Sequence, residues 1–158
     1  MGQQTKTVGE STVENVRVIR PNHLNSAGRL FGGLLMQWID EVAGVVAKRH
    51  ACSNVTTVSV DNLHFIRGAY KGEIVILVGK LTYVGKTSME VRIDSYAEGL
   101  DGSRKVINCA YVTMVALNKD GEPAPVPGLQ LETAEEQREW EAGMKRREIR
   151  KIRKKEGF

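Results

Sequence analysis

The chain has 158 residues, 41% hydrophobic and 27% charged, with a net charge of +4; this suits a single hydrophobic core and excludes a disordered, fibrous or collagen-like chain. Met1 to Ser11 is polar, and no apolar stretch approaches the roughly 20 residues of a membrane span, so secretion and membrane insertion lose support and the cytoplasm is the default address. Cys52 and Cys109 are the only cysteines and have no paired spacing, so both are expected as buried thiols, without a disulfide framework or a zinc site.

In chain order, Glu10 to Arg20 alternates valines with polar residues and stops at Pro21, which predicts an edge strand. Pro21 to Leu30 is loop. Phe31 to about His50 lacks proline and is rich in Leu, Met, Ile, Val and Ala, which predicts a helix of about five turns. Four runs rich in Val, Ile, Thr and Tyr follow: Val55 to Ile66, Glu73 to Val84, Ser88 to Glu98 and Arg104 to Leu117. Turn residues at 67–72, 85–86 and 99–103 separate them. Pro123, Pro125 and Pro127 end the sheet, and Glu132 to Lys155 is a charged helix expected on the surface. One strand, one apolar helix and then four consecutive strands predict an α+β architecture, an antiparallel sheet wrapped around one long central helix. A main domain over 1–128 and a charged helical tail over 129–158 are expected.

Charge is uneven. Between Lys145 and Lys155 eight basic residues face only Glu148, so the remainder of the chain is net acidic. Such a run can meet nucleic acid, anionic membrane or a phosphorylated ligand, but a solvated helix face is the simpler expectation.

The apolar helix carries most of the chemistry. At about 100° per residue, Gly33, Gln37, Asp40, Glu41, Gly44 and Lys48 form one polar stripe, and the other faces are apolar. The helix should therefore be nearly enclosed, with the stripe facing something specific. Adjacent carboxylates there need a partner or a task; a wet subunit interface with Lys or Arg would supply the first. Gly33 and Gly44 flank Asp40 and permit close approach of a ligand or backbone, while Gly32 and Gly33 leave unpaired N–H groups at the helix start, suited to an oxyanion or thioester carbonyl. No Gly-x-Ser-x-Gly elbow, Walker loop or dinucleotide fingerprint is present. His23, His50 and His64 make no metal spacing; His64 is expected inside a strand, and only His23 has a seat near the helix start.

Asn25-Ser-Ala-Gly28-Arg-Leu-Phe31-Gly32-Gly33 followed by Trp38-Ile39-Asp40-Glu41-Val42-Ala43-Gly44 resembles the cytosolic, brain-type acyl-CoA thioesterases of the hot-dog superfamily. Val58-Ser59-Val60-Asp61, Phe65, Lys86-Thr87-Ser88-Met89-Glu90, Pro125-Val126-Pro127 and Glu132-Thr133 extend the similarity over roughly Ser11 to Lys155. The resemblance implies a hot-dog fold, hydrolysis of acyl-CoA thioesters and no cofactor, coenzyme A being part of the substrate. It implies Asp40 as base or nucleophile, with Asn25 of a neighbouring subunit holding water or the carbonyl. Arg67, Lys86, Thr87 and Ser88 become candidates for coenzyme A contacts, although Gly85 to Ser88 could simply close a hairpin. With one hot-dog domain, the paired site requires a homo-oligomer; a dimer is the minimum and the resemblance favours a trimer of dimers, a homohexamer. Neither nucleic acid nor membrane is an expected partner. Where many relatives have Arg-Pro, this chain has Arg67-Gly68. The competing expectations are a hot-dog enoyl-CoA hydratase, which would need a histidine beside the carboxylate, and an acyl-CoA sensor without hydrolysis.

Overall fold

The computed structural model describes residues 4–61 and 63–158. A five-stranded antiparallel sheet has the order β2-β4-β5-β6-β3, formed by β2 (Val13–Val18), β3 (Asn54–Asp61), β4 (Ile74–Val84), β5 (Ser88–Glu98) and β6 (Arg104–Leu117). Helix α1 (Gly32–Ala51) packs on one face of it and α2 (Ala134–Glu156) on the other. Short strands β1 (Thr5–Thr7) and β7 (Gly128–Gln130) pair in parallel beside the sheet.

Local sequence explains α1. Leu35, Trp38, Ile39, Val42, Ala43, Val46 and Ala47 recur at three and four residues, so one face buries them all against the sheet. Gly79 makes the contact close: a Cβ there would lie 2.7 Å from Val42 Cγ1 and 2.9 Å from Ile93 Cδ1. Because α1 covers one face and α2 the other, β4 and β5 are buried along nearly their whole length. Thr133 caps α2, its hydroxyl accepting the Glu136 N–H.

Several expectations are corrected. The strand expected over Val55 to Ile66 ends at Asp61; within that run Asn62 lies outside the described residues, as do Met1, Gly2 and Gln3 of the polar N-terminal stretch. Leu63 to Ile66 leave the ladder and pass over the start of α1, where Phe65 faces Gly32 and the Ile66 N–H reaches the Ile107 carbonyl. His64 is therefore in an exposed loop, not a strand. Strand β7 was not expected. Cys52 is exposed, not buried, because it terminates α1 in the left-handed region at φ 52°.

The basic run is only in part a solvated face: Lys145, Lys151, Lys154 and Lys155 are exposed, whereas several arginines turn to the sheet. Arg146 and Arg150, one turn apart, both reach Glu90, which is 1% exposed, at 2.7 and 2.9 Å. Arg150 and Arg153 also meet Asp61, while Arg92 joins Asp94 to Glu139. Arg146 lies 3.7 Å above the Tyr111 ring. Burial opposes the charge on Arg146, yet its hydrogen bonds to Glu90 hold its pKa above the ordinary guanidinium value. Three of the eight cations in the run, Arg146, Arg150 and Arg153, are thus clamps holding α2 to the sheet.

Candidate functional site

The polar stripe of α1 is open to solvent in the single chain, as are Met36 and Val45 beside it, so the helix is half covered and not nearly enclosed. Only the sheet-facing stripe is buried within one chain. Glu41 is held by Arg17 at 2.7 Å and by Gln37, which gives that carboxylate a structural occupation.

Asp40 differs. Its Oδ1 accepts a 2.5 Å hydrogen bond from the Thr57 hydroxyl on edge strand β3, and the same hydroxyl lies 3.3 Å from Met114 Sδ. Among the described residues Oδ2 has no hydrogen-bond partner. Two open spaces meet at this side chain. One, of about 310 Å³, is almost wholly apolar and runs past Gly33, Met36, Ile39, Val60 and Leu63; the other, of about 570 Å³, is bordered by Glu41, Gly44, Lys48 and Thr57. A carboxylate fixed through one oxygen, with the other unbonded and open space on both sides, can accept a proton from water or attack an electrophilic carbonyl.

The remaining candidates are placed as follows. Asn25 and Arg67 line a separate cavity of about 290 Å³ with Gly32, Phe65 and Ile107. The Asn25 side-chain oxygen accepts the N–H groups of Ala27 and Arg29, shaping the loop and leaving its amide NH₂ for other work. Arg67 pairs with Glu73 at 3.3 Å. No hydrogen bond among the described residues satisfies the N–H groups of Gly32 and Gly33, and α1 has no side-chain cap at its start. Lys86, Thr87 and Ser88 form the β4–β5 hairpin: the Gly85 N–H donates to the Ser88 carbonyl, while the Lys86 carbonyl accepts from Val126. Arg67 and this hairpin lie near opposite ends of the 11-residue β4, roughly 30 Å apart by strand rise, so one chain does not gather all four coenzyme A candidates.

No histidine among the described residues lines either space beside Asp40. His23 stacks edge-on to Trp38 at 5.4 Å, and His50 is buried against the Pro127 carbonyl at 2.8 Å. Burial lowers the His50 pKa below its ordinary value, against the opposing pull of that hydrogen bond. Sequence reasoning missed Thr57: in a run of Thr, Val and Ser nothing local distinguishes it, and only the fold brings it to Asp40.

Comparison with known proteins adds a family. The Thioesterase superfamily model matches residues 27–102. The chain is 35% identical over 153 residues to the uncharacterized acyl-CoA thioester hydrolase YkhA of Bacillus subtilis, covering 96% of this chain and 89% of that one. It is 34% identical over 146 residues to the cytosolic acyl coenzyme A thioester hydrolase of Rattus norvegicus, of whose length it spans 38%. Among solved structures, an apo-hexameric acyl-CoA thioesterase superposes with a TM-score of 0.92 at 37% identity, covering 95% of this chain and 97% of the other. The acyl-CoA hydrolase of Staphylococcus aureus, solved with butyryl coenzyme A and coenzyme A, superposes at 0.91 with 32% identity, covering 97% and 94%. That hydrolase has also been solved with an asparagine, an aspartate or a threonine replaced by alanine, at positions spaced 15 and 17 residues apart, the spacings that separate Asn25, Asp40 and Thr57 here.

Proposed function

Given that the chain belongs to the acyl-CoA thioester hydrolases of the thioesterase superfamily, we propose that it hydrolyses acyl-CoA to a carboxylic acid and coenzyme A, with Asp40 as the acting carboxylate. The observation that carries this is the Asp40–Thr57 hydrogen bond at the end of an apolar cavity. Thr57 orients Oδ1, and Oδ2 either takes a proton from the attacking water or attacks the thioester carbonyl itself. A thiolate is a good leaving group, since a thiol's pKa is about 8.5, so the site needs a base and an oxyanion seat more than a strong acid.

The oxyanion seat comes from a second copy. Gly33 and Asp40 are seven residues apart on one helix, about 10 Å along its axis, whereas donors and attacking atom must converge within about 3 Å of one carbonyl. The N–H groups of Gly32 and Gly33, with the Asn25 amide, therefore serve the Asp40 of a neighbouring subunit. A homodimer is the minimum, and the hexameric neighbour supports a trimer of dimers. Substrate and product carry the only coenzyme A that the chemistry needs, and no metal or other cofactor is invoked. The charged helix is kept as an element of the same unit, and the cytoplasm, where acyl-CoA is made and used, as its place of work.

A hydratase reading is disfavoured because no histidine among the described residues lines either space beside Asp40. The test is thiol release from a panel of short to long acyl-CoAs. Asp40→Asn should fold like the parent and release thiol about 10²–10⁴-fold more slowly; mass spectrometry of a rapidly quenched single turnover then separates direct attack, which passes through an acyl–Asp40 anhydride, from a base role, which forms no acyl-enzyme. Wild-type protein that binds acyl-CoA and releases no thiol would leave a sensor instead.

A further inference from the structure

Strand β3 is interrupted where it passes Asp40. Its register with β6 pairs Thr57 with Met114 and Ser59 with Thr113, so Val58 is passed over and forms a bulge in the ladder. In an unbroken strand Thr57 and Ser59, two residues apart, would share a face. The bulge parts them. Ser59 and Thr113 line the groove beneath α2, whereas Thr57 and Met114 border the space beside Asp40 on α1. One extra residue in the edge strand thus aims Thr57 at the carboxylate, and Met114 is the residue directly across the ladder from it.

Met114 is 3% exposed and held from three sides. Thr57 is its ladder partner on β3 and Met89 on β5, while its Cε meets α1 at Gly44, where a Cβ would stand 4.0 Å away. Its Sδ lies 3.3 Å from the Thr57 hydroxyl oxygen, whose single proton goes to Asp40 Oδ1 at 2.5 Å. Among the described residues the hydroxyl has no other hydrogen-bond partner. The chemistry of position 114 matters because a hydroxyl has one proton to give and its side chain can turn between staggered rotamers. An amide there would compete for that proton, and a shorter side chain would leave Thr57 free to turn from Asp40. A thioether is a weak acceptor and no donor. It fills the space behind Thr57 and leaves the proton to the charged oxygen, the stronger acceptor.

We infer that Met114 is a positioning residue for the hydrolysis: it seats the Thr57 side chain so that its one strong hydrogen bond is made to Asp40. The inference rests on the reading of Asp40 as the acting carboxylate for its consequence, and on the geometry of Asp40, Thr57 and Met114 for its substance. Two substitutions separate it from plain core filling. Valine ends at Cγ and cannot reach the Thr57 hydroxyl, whereas leucine keeps carbon at the δ position and nearly the volume of methionine; both are accepted in a buried strand. Met114→Val should lower kcat for an acyl-CoA about five- to tenfold with KM within about twofold of the parent, and Met114→Leu should recover most of the rate. In the Thr57→Val background Met114→Val should cost nothing further, since a residue that acts only through Thr57 has nothing left to position. Additive losses, an unchanged kcat in Met114→Val, or a KM change as large as the kcat change overturns the inference. Crystal structures of the parent and Met114→Val carry the test without turnover. The Thr57 hydroxyl should lie within hydrogen-bond distance of Asp40 in the parent and have left it in the variant; a hydroxyl unmoved in the variant overturns the inference whatever the rates. That movement in a protein that releases no thiol from any acyl-CoA would sink the hydrolase reading and leave the seat beneath Thr57 standing.

Discussion

Glu90 is the anchor on which α2 depends, and replacing it with glutamine tests that dependence. The carboxylate, 1% exposed, accepts from Arg146 through Nε and a terminal nitrogen, from Arg150 at 2.9 Å and from the Thr82 hydroxyl at 2.7 Å. Breaking a buried pair by removing one partner costs about 3–5 kcal/mol. Two features reduce that here: the arginine side chains are 17% and 16% exposed, and each keeps a second carboxylate, Glu139 for Arg146 and Asp61 for Arg150. About 3 kcal/mol is therefore expected for Glu90→Gln, which at about 2–4 °C per kcal/mol for a chain of this size lowers the melting temperature by about 6–12 °C. Thermal unfolding by circular dichroism, at one fixed protein concentration so that association does not move the midpoint, reads this directly. Pairing it with Arg146→Met separates anchor from local packing: the double variant should lose less than the two singles together, because neither charge is then stranded. A Glu90→Gln midpoint within about 2 °C of the parent would refute the claim that this network holds α2.

Thr57→Val should lower kcat about tenfold with little change in KM, since it removes the hydrogen bond that orients Asp40 without altering the cavity's volume, and Thr57→Ser should recover most of the rate; a KM effect as large as the kcat effect would contradict the positioning role. The depressed His50 pKa fixes a sign for stability against pH. As pH falls through about 6.5 the unfolded chain takes up a proton that the buried imidazole refuses, so stability present above that pH is lost progressively toward the folded pKa. Melting temperatures at pH 7.5 and 5.5 should therefore fall further apart for the parent than for His50→Gln, and equal differences would remove His50 as the cause.

How far the fold could be read from the sequence follows from where each signal resides. Strands β5 and β6 appear with their expected bounds, and α1 within a residue, because Gly-rich turns and a helical period are local properties. Leu63 to Ile66 misled because an apolar stretch packs equally well in a ladder or over a helix start, and only the position of Gly32 decides. The three-residue β1–β7 pair is created by chain closure, so no local pattern announces it. At the site, Asp40 was legible from its stripe and glycines, whereas Thr57 was not, since its role exists only across the 17 residues that separate it from Asp40. The signal on α2 was present but incomplete: Arg146, Arg150 and Arg153 follow helical spacing, yet their partners Glu90 and Asp61 lie on strands far back in the chain.

Several carboxylates of this chain are already matched by cations, and the one at the site is not. Glu90, Asp61, Asp94 and Glu41 each have a guanidinium within reach, so their charge is spent on holding α2 or β2 in place. Asp40 receives only a neutral hydroxyl, which orients it without neutralising it. Met36, Val58, Val60, Phe65 and Ile66 are all exposed in the single chain. Once a second copy covers the α1 stripe and excludes water, Asp40 acts in a closed site instead of an open one. Association of subunits and chemistry are, on this account, one event, and dilution of the oligomer should abolish activity before it unfolds the chain.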